Sequence, residues 1–365
     1  MRIVGAVLEE IARPRPYAES RPLTVGPLDL DDPGPTEVLV ALEAAGVCHS
    51  DLSVVDGARV RPVPMLLGHE GAGRVLATGD AVTDIAVGQR VVLTFLPRCG
   101  DCAGCASGGI RPCGPGSVSN GAGEMLAGGR RLRRAGMPIH HHLGASAFAT
   151  HAVLDRRSVV PVPDSVPPEV AALLGCAVLT GGGAVLNAGH PRSGETVVVV
   201  GLGGVGMAAV LTARALDGLR VVAVDPVPAK REQALALGAD AAYAPGERID
   251  PADVVIEAAG NARGFATAYG LLGPGGRLVT VGLPPPDATA TISPLDLVAG
   301  GKQVIGSYLG SSVPARDIPR FAELWRRGRL PVESLVSRRI SLDQINDAMD
   351  ELADGRVVRQ IVTFG

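Results

Sequence analysis

The sequence has no strongly basic region and no evident internal repeat, and we expect no secretion signal; each of these points excludes a class of function or fold. Its 365 residues carry a net charge of -3, and arginine-rich spots such as GGRRLRR are short. Nucleic-acid binding is therefore not expected. The N-terminal MRIVGAVLEE places acidic residues where a signal peptide needs its apolar core, so we expect a cytoplasmic protein. Solenoid folds need a repeat of about 20 to 50 residues, and none is evident.

One uncharged run, residues 196–213, reaches the length of a membrane span. Four valines lead into GLGGVG and then into an alanine-rich segment. This order predicts a buried strand, a tight glycine turn and a helix, which belong in a soluble protein. The hydrophobic content of 46% is enough for the cores of two domains.

The apolar pattern changes along the chain and predicts two kinds of structure. Up to about residue 160, short runs such as EVLVALEAAGV and GAGRVLATG alternate with Gly and Pro, which is typical of a strand-rich domain. From about Ser193, near-continuous runs such as TVVVVG, RVVAVD and DVVIEAAG alternate with helical stretches. This second pattern predicts a doubly wound parallel sheet, so the fold class is α/β.

The motif GLGGVG, residues 201–206, follows a predicted strand and opens a predicted helix, as a dinucleotide-binding turn does. Gly201 would permit the tight turn, Gly203 the approach of a pyrophosphate, and Gly206 close packing of helix on strand. Asp225 ends the next strand, where a carboxylate accepts hydrogen bonds from ribose hydroxyls and repels a 2′-phosphate. The sequence therefore favours NAD over NADP.

Four of the six cysteines fall within CGDCAGCASGGIRPC, at Cys99, Cys102, Cys105 and Cys113. In a reducing compartment such clusters are more often metal ligands or catalysts than disulfides. An iron–sulfur cluster is one alternative, but bacterial cluster motifs place three residues and then Cys-Pro after CxxCxxC. Here seven residues precede the last cysteine, so a closed four-thiolate zinc site is favoured.

The other two cysteines, Cys48 in AAGVCHSD and Cys176 in LGCAVLTG, stand apart from this cluster. With His69 in LLGHEGAG they would make a set of two thiolates and one imidazole. Three such ligands leave the fourth tetrahedral position of a zinc ion free for water or substrate. Carboxylates such as Asp51 could fix the tautomer of the histidine.

Over essentially its whole length the chain resembles the zinc-containing medium-chain alcohol dehydrogenases. GVCHSD, GHEGAG, the four-cysteine lobe, LGCAVLTG, GLGGVG and VRQIVTF occur in that family's order and spacing. The resemblance implies a GroES-like catalytic domain from residues 1–177 and 309–365, with a zinc lobe at about 97–115. It also implies a Rossmann domain over residues 178–308.

The resemblance also assigns roles to individual residues. It implies that Cys48, His69 and Cys176 bind a catalytic zinc, and that Asp51 and Glu70 surround these ligands. The lobe cysteines would hold a second, structural zinc, giving two zinc ions per chain. NAD would contact Gly204 besides the other motif glycines, and also Thr180, His49 and Arg359.

Proton transfer and substrate binding follow the family with one departure. Ser50 would relay the alcohol proton, but the histidine that many relatives carry three residues later is here Ser53. Protons would therefore leave through the cofactor ribose and water, or through His49. Phe95 matches an aromatic residue of the family's substrate pocket, and a further set of weaker pocket candidates is His142, Leu143, Leu283 and Leu309.

The expected activity is reversible hydride transfer between NAD and a primary, allylic or aromatic alcohol, through an alkoxide that zinc stabilises. One alternative is a thiol-dependent formaldehyde dehydrogenase; glutathione-type members have an arginine where this chain has Ser117. Another is a non-catalytic NAD-binding protein, which would be expected to lack a zinc ligand.

Three structural expectations complete the sequence analysis. The full-length segment between Cys113 and His140 is typical of dimeric members, so we expect a homodimer. The segment 238–257 is too short for a crossover helix, so we expect a loop there. The run His140, His141 and His142 is expected to be structural or at the surface.

Overall fold

The computed structural model describes residues 1–365 and divides them into two compact units. The first unit comprises Met1–Cys176 and Val336–Gly365, and the second comprises Ala177–Leu335.

The first unit is built from a closed five-stranded barrel and a seven-stranded, mostly antiparallel sheet. The barrel strands, in the order in which they pair, are β1 (Arg2–Leu8), β2 (Leu23–Leu30), β7 (Leu132–Arg134), β8 (Met137–His141) and β4 (Met65–Leu66). The sheet runs β10 (Val159–Pro161), β6 (Arg90–Leu93), β5 (Glu70–Thr78), β3 (Glu37–Val47), β18 (Arg359–Thr363) and β17 (Val336–Ile340), and β9 (His151–Asp155) also pairs with β3.

Alternating apolar residues of these strands close over a core that contains fully buried Phe148 and Leu67. Short helices connect the strands, as expected for a strand-rich domain with frequent Gly and Pro. The helices of this unit are α1 (Tyr17–Ser20), α2 (His49–Val55), α3 (Ala103–Ala106), α4 (Gly114–Ala122), α5 (Pro168–Leu173) and α12 (Ile345–Ala353).

The second unit is a six-stranded parallel sheet whose strand order matches a doubly wound dinucleotide-binding fold. The strands pair in the order β13 (Ala241–Tyr243), β12 (Arg220–Val224), β11 (Thr196–Val200), β14 (Ala252–Glu257), β15 (Leu272–Thr280) and β16 (Gln303–Gly306). The helices are α6 (Leu179–Gly183), α7 (Gly204–Arg214), α8 (Pro228–Ala236), α9 (Ala262–Gly270), α10 (Pro294–Ala299) and α11 (Pro314–Arg326).

The chain between β13 and β14 contains no helix, as the short segment predicts. Partly buried Tyr243 and Ile249 pack, with Phe265 of α9, against the valine-rich face of the sheet. These side chains cover part of the face that a crossover helix would otherwise cover.

One domain boundary differs from the sequence-based expectation. Residues 309–335 belong to the second unit, and only from Val336 does the chain return to the first. The reason is packing against α6: the Ser312 hydroxyl donates to the Leu179 carbonyl at 2.9 Å. A side chain on Gly182 would lie 2.6 Å from the Phe321 ring, so this glycine lets α11 pack closely.

The residues 196–213 form β11, the glycine turn and α7, as predicted, and a different segment has the length and composition of a membrane span. This segment, Pro168–Gly189, is helical throughout and includes two π-helical stretches, Leu174–Val178 and Ala184–Gly189. Of its most apolar window, 94% is buried inside the structure, as is typical of the core helix of a soluble protein.

Candidate functional site

Three strand ends of the first unit meet at one place. Strand β3 lies between β5 and β18, and both neighbours are antiparallel to it. The C-terminal end of β3 therefore lies beside the first residues of β5 and β18, where Gly46 pairs with Glu70 and Val47 with Gln360. Because Cys48 follows β3 and His69 precedes β5, the sheet register brings these two residues together.

The motif Cys-His-Ser-Asp forms the first turn of α2 and fixes Cys48 there. Cys48 is the N-cap residue, and its backbone N–H donates to Asp51 Oδ2 at 3.0 Å. This is the reciprocal capping arrangement, in which the third helical residue binds the backbone of the cap. The buried carboxylate of Asp51 thus keeps its other oxygen free for neighbours outside the helix.

His69 is held by the conformation of the preceding glycine. Gly68 has a φ of +88°, and a Cβ there would lie 2.5 Å from the Phe148 nitrogen, so only glycine fits. The Gly68 N–H and the His69 ring nitrogen Nδ1 both reach Asp51 Oδ1, at 3.2 and 3.0 Å. With Nδ1 donating, the lone pair of His69 Nε2 is available for a metal.

Cys176 reaches the same place from the π-helical stretch Leu174–Val178. Gly175 allows this approach, because a Cβ on it would lie 2.2 Å from the Leu93 carbonyl oxygen of β6. The Cys176 sulfur lies 3.9 Å from the Cys48 sulfur and 3.4 Å from His69 Nε2. All three side chains are buried.

These distances fit a tetrahedral zinc ion. Zinc–sulfur bonds of about 2.3 Å and zinc–nitrogen bonds of about 2.0–2.1 Å give edges of about 3.8 Å between sulfurs and about 3.5 Å between sulfur and nitrogen. The observed 3.9 and 3.4 Å match both edges. The sulfur separation also rules out a disulfide, whose S–S bond is about 2.05 Å long.

The groups of this site shift one another's pKa values strongly, and the hydrogen bond with Cys48 and burial raise the pKa of Cys176. Burial alone would raise the pKa of Asp51, but the charge and hydrogen bonds of His69 and His142 lower it to about 2. Burial would likewise lower the pKa of His69, yet Asp51 and Cys48 hold it well above its usual range. The Cys176 hydrogen bond, with Arg359 and His69, lowers the pKa of the Cys48 thiol against its burial.

Glu70 and Arg359 form a buried ion pair beside the C-terminal end of β3. Glu70 is fully buried, and its Oε2 lies 3.4 Å from the Arg359 guanidinium, which also donates to the Val47 carbonyl at 3.0 Å. Gly46 leaves room for this carboxylate, because a Cβ there would lie 2.3 Å from Glu70 Oε2. The role of Gly46 was not predicted from the sequence. The feature that could have indicated it is a glycine in β3 directly opposite Glu70 of β5.

The histidine run is more buried than its sequence suggests. His140 is half-buried, whereas His141 and His142 are each 1% exposed. His141 lies away from the site, where its Nε2 accepts the Arg131 N–H at 3.1 Å. His142 Nδ1 instead lies 3.2 Å from Asp51 Oδ1, so this weak pocket candidate contacts the metal-site carboxylate directly.

The four lobe cysteines form a second cluster in the first unit, with all four sulfurs within 4.8 Å of one another. The sulfurs of Cys99 and Cys105 are 3.8 Å apart, and those of Cys102 and Cys113 are 3.9 Å apart. Both distances match the separation of two sulfurs bound to one tetrahedral zinc ion. Backbone N–H groups donate to three of the sulfurs. Those of Cys105 and Gly114 lower the pKa of Cys102 to about 6, whereas burial raises the pKa of Cys113 to about 11.

The other predicted residues of the first unit differ in burial, and Phe95 contacts a residue of the three-ligand site. Phe95 packs edge-to-face on the His69 ring, with centroids 5.5 Å apart, and Leu143 is buried. Ser50 is half-buried on α2, and His49 beside it is exposed. The Ser53 hydroxyl donates to the His49 carbonyl at 2.9 Å, so the backbone already holds this hydroxyl.

The predicted cofactor turn lies in the second unit. Gly203 caps α7, which begins at Gly204, and a Cβ on Gly206 would lie 1.8 Å from the Gly201 carbonyl oxygen. The Asp225 carboxylate, 6% exposed, accepts the Leu202 N–H of the turn at 2.8 Å.

Three more predicted residues belong to the same unit. Thr180 is 8% exposed on α6, Leu309 is buried, and Leu283 is 44% exposed. The predicted NAD contacts His49 and Arg359 belong to the first unit and stay predictions.

Comparisons with known proteins agree with this geometry. Residues 34–164 match the family model of the alcohol dehydrogenase GroES-like domain, and residues 204–327 match that of the zinc-binding dehydrogenase. Geraniol dehydrogenase from Castellaniella defragrans is 37% identical, covering 94% of this chain and 95% of its own length.

An NDMA-dependent alcohol dehydrogenase from Amycolatopsis methanolica is 35% identical, covering 95% of this chain and 96% of its own. The crystal structure of benzyl alcohol dehydrogenase from Acinetobacter calcoaceticus superimposes with a TM-score of 0.91 at 30% identity, over 100% of both chains. These matches confirm the predicted GroES-like and Rossmann fold classes. The chain therefore belongs to the zinc-containing medium-chain alcohol dehydrogenase family.

Proposed function

We propose that this chain is a cytoplasmic, zinc- and NAD-dependent alcohol dehydrogenase that oxidises primary allylic or aromatic alcohols reversibly. The observation that carries the proposal is the tetrahedral spacing of the Cys48, His69 and Cys176 ligand atoms. A three-ligand set is typical of catalytic zinc, whereas four protein ligands are typical of structural zinc. The four-cysteine lobe has the second kind of ligand set.

Zinc held by these three side chains would supply a Lewis acid that makes an alcohol hydroxyl more acidic. The chain's own residues orient the ligands: Asp51 binds His69 Nδ1 and so directs Nε2 away from itself. Ser50, half-buried two residues after Cys48, is the hydroxyl placed by sequence to accept the alcohol proton. Because the Ser53 hydroxyl already donates to the His49 carbonyl, His49 is the residue of this chain that would pass the proton outward, and bound NAD would offer its ribose hydroxyls as the alternative acceptor.

The second unit supports NAD as the hydride acceptor. Its glycine turn opens α7, whose N-terminal amides suit a pyrophosphate. Asp225 lies beside that turn and would repel a 2′-phosphate. The neighbouring Arg231 donates through Nη1 to the Asp225 and Pro226 carbonyls at 2.7 and 3.0 Å.

Two observations support an allylic or aromatic substrate. The ring of Phe95 packs on His69 and gives the site an aromatic wall. Two relatives are named for geraniol and benzyl alcohol, an allylic and an aromatic primary alcohol.

The cysteines support the proposed cytoplasmic location. All six are free of disulfide bonds, which suits the reducing cytoplasm.

Gly203→Ala tests the cofactor assignment. Gly203 has φ -76° and ψ -170°, which alanine adopts freely, and its Cβ would meet no protein atom within 4 Å. We expect unchanged thermal stability but a dissociation constant for NAD raised about tenfold or more, because the methyl group obstructs the pyrophosphate. Gly206→Ala is the contrasting control, since its clash with Gly201 should lower the melting temperature. Unchanged NAD affinity in Gly203→Ala, measured by calorimetry, would contradict the assignment.

A substrate panel tests the activity itself. NADH formation would be followed with ethanol, geraniol and benzyl alcohol, and with formaldehyde plus thiols. We expect the highest kcat/KM for the allylic and aromatic alcohols. Cys48→Ser should abolish turnover and leave the lobe zinc bound, because the lobe has its own four ligands. No turnover on any substrate by protein that carries two zinc ions per chain would refute the proposal.

We also propose that the enzyme is a homodimer. Strand β16 is an edge of the parallel sheet, and edge strands attract pairing partners. Val304 on this strand is 37% exposed, and Leu295 and Val298 on the adjacent α10 are 77% and 79% exposed. Light scattering should give about twice the chain mass of 37.2 kDa, and Val304→Lys should shift it toward the monomer. A monomeric mass for the wild-type protein would contradict this assembly.

A further inference from the structure

The shared contacts of Asp51 point to a residue whose part in the metal site the motifs do not reveal. One carboxylate oxygen, Oδ1, faces two imidazoles: His69 Nδ1 at 3.0 Å and His142 Nδ1 at 3.2 Å. The two rings lie edge-to-face, with centroids 5.4 Å apart and planes at 88°. All three side chains are at most 1% exposed, so water does not compete for these contacts.

The His69 contact is a hydrogen bond, whereas the His142 contact is a close approach of Nδ1 to Oδ1 that lacks the alignment of a formed hydrogen bond. His69 must keep a proton on Nδ1 if Nε2 is to offer its lone pair to zinc. Asp51 Oδ1 also accepts the Gly68 N–H at 3.2 Å, and Oδ2 accepts that of Cys48. The carboxylate thus has three hydrogen-bond donors, and His142 Nδ1 lies 3.2 Å from it as the nearest further group that could donate.

The backbone fixes the position of the His142 ring. Its N–H lies 3.3 Å from the Leu66 carbonyl and 3.1 Å from the Ser146 hydroxyl, and its carbonyl accepts from Ala145 and Ser146. Leu66 belongs to β4, three residues before His69. The same short segment thus anchors both histidines, and the ring of His142 limits how the Asp51 carboxylate can turn.

We propose that His142 is a positioning residue of the catalytic metal site: by donating to Asp51 Oδ1 it holds the carboxylate that orients His69. This inference rests on the proposed function in taking zinc as the group bound by His69. Without the His142 donor, Asp51 could rotate and His69 would hold zinc less well. Loss of such an outer contact typically costs about 10–100-fold in metal affinity or activity.

The test compares three variants. Two replace His142, one without and one with a nitrogen donor, and the third replaces the equally buried His141. His142→Phe keeps the ring and loses the donor, whereas His142→Asn places an amide N–H near the former Nδ1 position. His141→Phe is the matched control, because His141 is equally buried but contacts Arg131 rather than Asp51. Should His142→Phe not fold, His142→Leu supports the same comparison with a smaller side chain.

Zinc release to a chelator is the main readout, and it does not require turnover. In His142→Phe, one of two zinc ions should leave about 10–100-fold faster than in wild type, while the lobe zinc stays. His142→Asn should release zinc nearly as slowly as wild type, and His141→Phe should lose stability without losing zinc. The visible spectrum of the cobalt-substituted protein should change in His142→Phe and recover in His142→Asn.

Wild-type zinc retention in His142→Phe, failure of His142→Asn to restore it, or equally fast release in His141→Phe would each overturn the proposal. The outcomes also separate this inference from the proposed activity. If wild-type protein turns over no alcohol but the variants still differ in zinc release, the positioning role holds and the proposed activity fails.

Discussion

The candidate site depends on one buried carboxylate. Asp51 accepts the backbone N–H groups of Cys48 and Gly68 and lies within hydrogen-bond distance of His69 and His142. These donors come from three separate stretches of the first unit, so the carboxylate ties them into one geometry. A buried charge is costly unless it is paired and hydrogen-bonded, and here the donors lower its pKa to about 2. The same contacts select the His69 tautomer that a metal needs.

The two cysteine clusters have similar ligand atoms but differ in the number of ligands that they offer to a metal. In the lobe, four sulfurs at tetrahedral spacing would complete the coordination of a zinc ion and hold the segment between Cys99 and Cys113 together. In the three-ligand site, the set of two thiols and one imidazole is incomplete, and Phe95 stands beside it. The difference between a structural and a catalytic site is thus one missing ligand.

Much of this arrangement could be predicted from the sequence, because it depends on the spacing of residues within short motifs. The grouping of six cysteines into four and two, the glycine turn before α7 and the position of Asp225 are all local patterns. The loop before β14 is likewise predicted, since the segment is too short for a helix. These features need no knowledge of long-range packing.

Other features depend on contacts between distant segments and could not be predicted. The His142 contact with Asp51 joins residues far apart in sequence, and three consecutive histidines give no sign of which one points inward. The boundary at Val336 depends on how α11 packs on α6. The burial of Arg359 against Glu70 depends on the pairing of β18 and β5 with β3.

The most direct test of the account is zinc K-edge X-ray absorption on metal-replete protein. Two clusters, one with four sulfurs and one with two sulfurs and a histidine nitrogen, predict two zinc ions per chain and an average of three sulfur neighbours per zinc. One zinc per chain, surrounded by four sulfurs, would show that the lobe alone binds metal and would contradict the catalytic site.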